Sequence, residues 1–171
     1  MRFVALDFET ADQGRDSACA IGLAVVEDGR VRARVHRLIR PPRRDFFFTH
    51  IHGITWRDVA GAPRFGALWP ELAPLLAGAS FIAAHNAGFD RGVLRACCDA
   101  AGQPAPALPF LCTVRLARRT WDLPHNRLPD VCAHLGLPLR HHDPMSDAEA
   151  CAGIVLAGLD AGSAVEDALM G

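Results

Sequence analysis

An α/β fold, a mixed β-sheet with helices packed against it, is what three features of this sequence predict. Apolar, β-prone segments come first, and Asp28-Gly29 is a hairpin turn signal between two of them. From about residue 65 onward, helical and extended patterns alternate, which places helices on a sheet. The chain has 171 residues, 50% hydrophobic and 22% charged, with no internal repeat and no low-complexity linker, so residues 1–171 read as one domain.

Residues 2–8 form a short buried strand and residues 18–26 a second. In residues 31–39, Val31, Ala33 and Val35 alternate with Arg30, Arg32 and Arg34, a period of two that gives one inward face and one arginine face. Three antiparallel strands at the N-terminus follow. Phe65, Leu68, Leu72, Leu75 and Leu76 have helical spacing, but Pro70 and Pro74 predict a kink or split. Residues 81–84 read as a strand, and residues 88–101 as a helix stopped by Gly102. A short strand at 110–113, a helix at 114–121 and a helix at 126–135 stopped by Gly136 follow. The last helix runs from Pro144 to about residue 159, with Asp143 as its N-cap and Pro144 at its first position.

All 18 basic residues are arginine; against 19 acids they leave a formal net charge of −1. That disfavours a binder working by bulk positive charge, but leaves a nucleic-acid enzyme open. The six cysteines show no C-x-x-C spacing, so neither a zinc site nor a redox pair is supported. Asp7 and Glu9 interrupt the early apolar stretch, which argues against a signal peptide. No run approaches the ~18 apolar residues of a membrane span. The expectation is a soluble, reduced, cytoplasmic protein with no membrane association.

Three acidic pieces carry the chemistry. Asp7 and Glu9 share one face of the first strand, being two residues apart. Like charges so close repel unless exposed or neutralised, and a divalent cation neutralises them well. Asp90 falls in the first turn of the helix after the fourth strand, where the helix dipole favours a carboxylate. If strands one and four pair in parallel, Asp90 faces the Asp7/Glu9 pair. The third piece is His141-His142-Asp143-Pro144-Met145-Ser146-Asp147, where His142 and Asp147 occupy the positions before and after a helix start that approach each other. Each piece alone has a plain reading as a solvated strand end or a capped helix.

Together, Asp-x-Glu, Asp90 and His-x4-Asp resemble the DEDDh group of exonucleases, which includes the proofreading (epsilon) subunits of bacterial DNA polymerase III and stand-alone relatives. The resemblance spans roughly residues 3–159 and is supported by Phe8-Glu9-Thr10, His52-Gly53-Ile54-Thr55, the run from His85 to Asp90, and residues 128–136. It implies a ribonuclease H-like fold, a five-stranded mixed sheet flanked by helices. A sister group with Tyr-x3-Asp would need tyrosine at Asp143, and the chain has none.

The resemblance also implies roles. Asp7, Glu9, Asp90 and Asp147 would hold two Mg²⁺ or Mn²⁺ ions, which suit hard carboxylate ligands. His142 would be the general base, with His141 its neighbour. Thr10 would bind the terminal 3′-OH through its backbone N–H, His52 would sit in a turn beside the terminal nucleotide, and Asn86 would orient the backbone or Asp90. The implied activity is 3′→5′ hydrolysis at free nucleic-acid 3′ ends, DNA in preference, releasing nucleoside 5′-monophosphates. RNA-end trimming and a non-catalytic binding module remain alternatives. Polymerase-bound relatives carry a C-terminal tail for which residues 160–171 leave little room, so either a stand-alone enzyme or a different polymerase contact is expected. Residues 30–44 carry seven arginines, read as a phosphate-tracking surface or a solvent face that blocks edge pairing. Arg115, Arg118 and Arg119, on one helix face, carry the same two readings. Phe46-Phe47-Phe48 reads as a stacking surface for bases or as an apolar segment beneath a loop.

Overall fold

Alternating apolar residues build the first half of the sheet. In a computed structural model describing residues 1–170, β1 (Arg2–Thr10), β2 (Ala18–Glu27) and β3 (Arg30–Leu38) form an antiparallel meander. The Asp28-Gly29 turn has positive φ at both residues, 49° and 74°, as a two-residue hairpin requires. β2 is buried almost throughout, whereas β3 alternates exposed arginine with half-buried Val and Ala, matching its period of two.

The rest of the chain crosses over and adds parallel strands. β4 (Ile82–Ala84) pairs in parallel with β1, through Val4↔Ile82 and Ala5↔Ala83, and β5 (Phe110–Cys112) pairs in parallel with β4. Between β3 and β4 come two short helices, α1 (Thr49–His52) and α2 (Trp56–Val59), then α3 (Phe65–Leu72). The prolines act as expected: α3 gives way to a 3₁₀ turn at Ala73–Leu76. Pro70 has no N–H for the carbonyl of Gly66, and Gln103 Nε2 donates to that oxygen instead, at 2.9 Å. α4 (Gly88–Ala100) follows β4; α5 (Thr113–Thr120), α6 (Leu128–Leu135) and α7 (Pro144–Asp160) follow β5.

The sheet has six strands, not the expected five, in the order β3-β2-β1-β4-β5-β6. β6 (Leu169–Met170) runs antiparallel to β5 after a 3₁₀ turn at Val165–Ala168. Two residues are too few to show a period, and the strand exists because β5 offers a free edge. Two boundaries moved by two residues, β1 continuing to Thr10 and α6 starting at Leu128 rather than Asn126, and most others by one at an end.

Two apolar cores sandwich the sheet. Val4, Leu6 and Phe8 pack toward α3 and α4, while Phe3 and Ala5 pack toward α5, α6 and α7. A third cluster, of Ala11, Cys19 and Val59 with Phe46, Ile54 and Trp56 against it, anchors the 45–60 loop to the end of β1. The phenylalanine triplet is therefore divided: Phe46 packs inward and Phe47 is 59% exposed. All six cysteines are buried and free. No helix among the described residues is long and apolar enough to cross a membrane.

Candidate active site

The alternation of β1 determines where its carboxylates go. Asp7 and Glu9 continue the face of Phe3 and Ala5, toward α7. In the ladder Asp7 stands opposite Gly22. A Cβ on Gly22 would lie 2.1 Å from the carbonyl oxygen of Pro144, the first residue of α7. The missing side chain thus lets the helix start sit directly on β2, beside Asp7. Glycine inside a strand marks such a close backbone approach, and Gly22 is the residue of β2 that carries that signal.

The start of α7 is firmly capped: the Asp143 carboxylate accepts from the backbone N–H groups of Met145 and Ser146, both at 3.1 Å. One turn in, Asp147 is 3% exposed. Its Oδ2 accepts from the backbone N–H of His142 at 3.0 Å and contacts His141 Nδ1 at 2.9 Å. His142 and Asp147 do meet, but through the His142 backbone. The two imidazoles stack with centroids 3.8 Å apart, and His142 has φ of 68°, a left-handed conformation rare outside glycine. The other oxygen of Asp147, Oδ1, is buried and has no hydrogen-bond partner among the described residues.

Asp90 arrives from the opposite face. It is 2% exposed, and its Oδ1 accepts from the backbone N–H of Phe8 at 3.1 Å, between Asp7 and Glu9. The parallel pairing of β1 and β4 makes this reach short, as the sequence predicts. Arg15 donates to the Phe89 carbonyl at 3.0 Å and lies over the Phe89 ring, and its charge favours ionised Asp90.

Electrostatically, this is a strained site. Burial, and then the charges of Asp90, Asp147 and Glu9, push Asp7 well above the usual carboxylate range. Burial, then Asp147 and Asp90, push Glu9 up to about 8. Burial also raises Asp90 and Asp147. Donor atoms of Asp7, Glu9 and Asp147 all lie within 4.8 Å of one another. Hard oxygen donors, mutual repulsion and the unpartnered Asp147 Oδ1 fit a divalent cation.

The residues named as substrate contacts fall at two places. Thr10 follows a β-bulge between Glu9 and Thr10, and its carbonyl accepts from His52 Nε2 at 3.1 Å. His52 Nδ1 accepts from the Ile54 N–H at 3.0 Å, so both ring nitrogens are engaged, and burial lowers its pKa. Asn86, with φ of 67°, forms the turn between β4 and α4, and its carbonyl accepts from Phe89 N–H.

His85, which carried no separate role in the sequence, is a structural tie. Its Nδ1 contacts Thr113 Oγ1 at 2.8 Å and its Nε2 the Asn126 carbonyl at 3.0 Å, so β4, α5 and the 121–127 loop are joined. Burial pushes it down to about 4, so it is neutral at ordinary pH. Beside it opens a cleft of about 920 Å³, lined in part by Asp7, Asn86, Arg118, Arg127, His141 and Asp147.

A mixed sheet with these four carboxylates and a histidine at the C-terminal end of its central strands defines the class: DEDDh-type 3′-5′ exonuclease domains. The Exonuclease family model (RNase_T) matches residues 4–155, and the chain belongs to that family. The DNA polymerase III PolC-type protein of Thermotoga petrophila is 33% identical over 158 residues, covering 90% of this chain and 12% of that protein. Exodeoxyribonuclease 10 of Escherichia coli K12 is 36% identical over 100 residues, 56% of this chain and 38% of that protein. The chain thus spans a minor part of these relatives. Among solved structures, Exonuclease X in complex with 5′ overhanging duplex DNA superposes with a TM-score of 0.78 at 25% identity, covering 97% of this chain and 96% of that chain. The nuclease domain of 3′hExo, described as a DEDDh family member bound to rAMP, shares the fold at a TM-score of 0.79 and 16% identity, covering 94% and 92% of the two chains.

Proposed function

We propose that this protein is a metal-dependent 3′→5′ exonuclease that removes nucleotides from free DNA 3′ ends as nucleoside 5′-monophosphates. The observation that carries the reading is the set of Asp7, Glu9 and Asp147 donor atoms within 4.8 Å, with Asp90 held against β1 by Phe8 N–H. A phosphodiester is an anionic, poor electrophile, and four clustered carboxylates, three of them buried, repel it unless cations intervene. Asp7, Glu9, Asp90 and Asp147 would hold two Mg²⁺ or Mn²⁺ ions. When bound, such ions neutralise charge on the phosphodiester oxygens and orient the attacking water.

The chain's own residues do the rest. Asp90 is fixed before any ligand arrives, by a backbone donor that cannot rotate away. The imidazole of His142 takes the proton of the attacking water at a ring nitrogen; burial and the neighbouring His141 both favour its neutral form. His141 orients Asp147 through Nδ1. His52 braces the Thr10 carbonyl, leaving the bulge at Thr10 to meet the terminal nucleoside.

DNA is preferred because relatives at 33% and 36% identity are named as a DNA polymerase and an exodeoxyribonuclease. The test is release of mononucleotides from matched DNA and RNA oligonucleotides labelled at either end, with Mg²⁺, Mn²⁺ or EDTA. Metal-dependent loss of the 3′ label first, faster on DNA, is expected. Faster RNA cleavage overturns the substrate preference, and cleavage unaffected by EDTA overturns the metal requirement.

A further inference from the structure

α5 carries three arginines whose sequence spacing gives them the same standing, and the fold separates them. Arg115 donates to the carbonyls of Leu169 and Asp167, at 3.2 and 3.4 Å, and Arg119 pairs with the Asp167 carboxylate at 2.6 Å. Both are thus used to hold the C-terminal segment. Arg118 is exposed, has no ion pair among the described residues, and lines the cleft that contains Asp7 and Asp147. Across that cleft, Arg127 is held by Asp130 through Nε and Nη2, at 2.8 and 3.3 Å, which leaves Nη1 without a partner among the described residues. The His85–Asn126 hydrogen bond fixes the loop that precedes Arg127.

The cleft has a direction. It starts at Asp7 and Asp147 and runs toward α5 and the 121–127 loop, and neither Thr10 nor His52 lines it. A scissile phosphodiester at the carboxylates has a terminal nucleoside on one side and the remaining chain on the other. With the Thr10 bulge and His52 at the β1 end, the arginine-lined cleft is left for the chain. Its volume of about 920 Å³ lies at the upper end of the range of ligand clefts. Apart from Asp7 and Asp147 at its end, the charged side chains that line it are the two cations Arg118 and Arg127.

We propose that Arg118, with Arg127 opposite, binds phosphodiesters on the 5′ side of the scissile bond, a sequence-blind subsite for the upstream strand. This rests on the exonuclease reading above and adds the residues that set KM for polymeric substrates. Phosphate contacts position a strand without reading sequence, and arginine suits them.

The test compares a 5′-hydroxyl dinucleotide, which has the scissile phosphodiester and no other phosphate, with a single-stranded decanucleotide. Arg118→Ala should raise KM on the decanucleotide roughly tenfold and reduce the slope of log KM against log salt by about 0.7, the share of one phosphate contact on a single strand. Arg127→Ala should act in the same direction. Both should leave dinucleotide hydrolysis unchanged. Arg119→Ala, which removes an equal charge from the same helix outside the cleft, should match wild type on both substrates. The subsite is overturned if Arg118→Ala equals wild type on the decanucleotide, slows both substrates alike, or is matched by Arg119→Ala. A wild-type protein that hydrolyses neither substrate overturns the exonuclease reading instead.

Discussion

The backbone N–H of Phe8 donates to the carboxylate of Asp90 at 3.1 Å, joining two residues 82 positions apart. Phe8 itself faces the α3/α4 core, while its neighbours Asp7 and Glu9 face α7. The bond therefore draws a carboxylate from one side of the sheet around its end to the other. Glu9, Asp90 and Asp147 reach the same place on three elements, each 9% exposed or less. Burial raises the pKa of all three, and Asp147 adds its charge against both Glu9 and Asp90.

Removing one carboxylate should stabilise the metal-free protein. Asp7→Asn keeps the shape and deletes a charge that burial and three acids disfavour. In EDTA its unfolding free energy should exceed that of wild type, because the native state disfavours the ionised Asp7 that the unfolded chain tolerates. Added Mn²⁺ should raise the Tm of wild type and not of the variant, and exonuclease activity should vanish. Thermal melts with and without Mn²⁺ check this; a less stable metal-free variant would contradict it.

The paired histidines should separate by role. His142→Ala should cost about 10²–10⁴-fold in rate, the usual worth of a general base, while metal-induced stabilisation persists. His141→Ala removes the ring that contacts Asp147 Oδ2 at 2.9 Å, so its loss should appear mainly as weaker metal binding. Single-turnover rates and Mn²⁺ titrations of both variants decide the matter. The reverse pattern would make His141 the base.

Gly22→Ala should damage the site from a distance. Its Cβ would meet the Pro144 backbone at 2.1 Å, so α7 must shift and carry Asp147 with it. A loss of about 1–3 kcal/mol is expected for such overpacking, along with reduced activity. Gly61→Ala is the control, because no atom lies within 4 Å of a Cβ there. Urea denaturation and activity measured together would show whether stability alone is lost.

His85 should make stability depend on pH. The unfolded side chain titrates near 6.5, and in the folded protein burial lowers it to about 4. The unfolded state therefore binds the extra proton first, so this contribution is whole above about pH 6.5 and falls as pH drops toward 4, up to about 3 kcal/mol. The buried carboxylates have the opposite sign, so wild type must be compared with His85→Gln. The gap between them should narrow from pH 7.5 to 4.5 in urea melts; a constant gap would refute the assignment.

Much of this molecule is legible in its residues. The arginine alternation of β3, the Asp28-Gly29 hairpin, the break in α3 at its prolines and the Asp143 cap of α7 follow from local rules. So does the shared face of Asp7 and Glu9, which needs only the period of a strand. The five-residue spacing brought His142 near Asp147, but not the choice of backbone over ring, because two adjacent imidazoles compete for one carboxylate and local spacing cannot rank them. β6 escaped because two residues carry no period, and its pairing depends on the edge β5 presents.

The sequence by itself determined the class of fold, the carboxylate set and the chemistry those residues can support, because side-chain direction in a strand or first helical turn is a local property. Only the tertiary structure decided which groups share one space. Asp90 bonds to Phe8 across the sheet end, Gly22 admits the start of α7 beside Asp7, and Arg118 faces the cleft while Arg115 and Arg119 are tied to the C-terminal segment. Those outcomes depend on which distant backbone atoms close packing brings within hydrogen-bonding reach, and no local spacing encodes that.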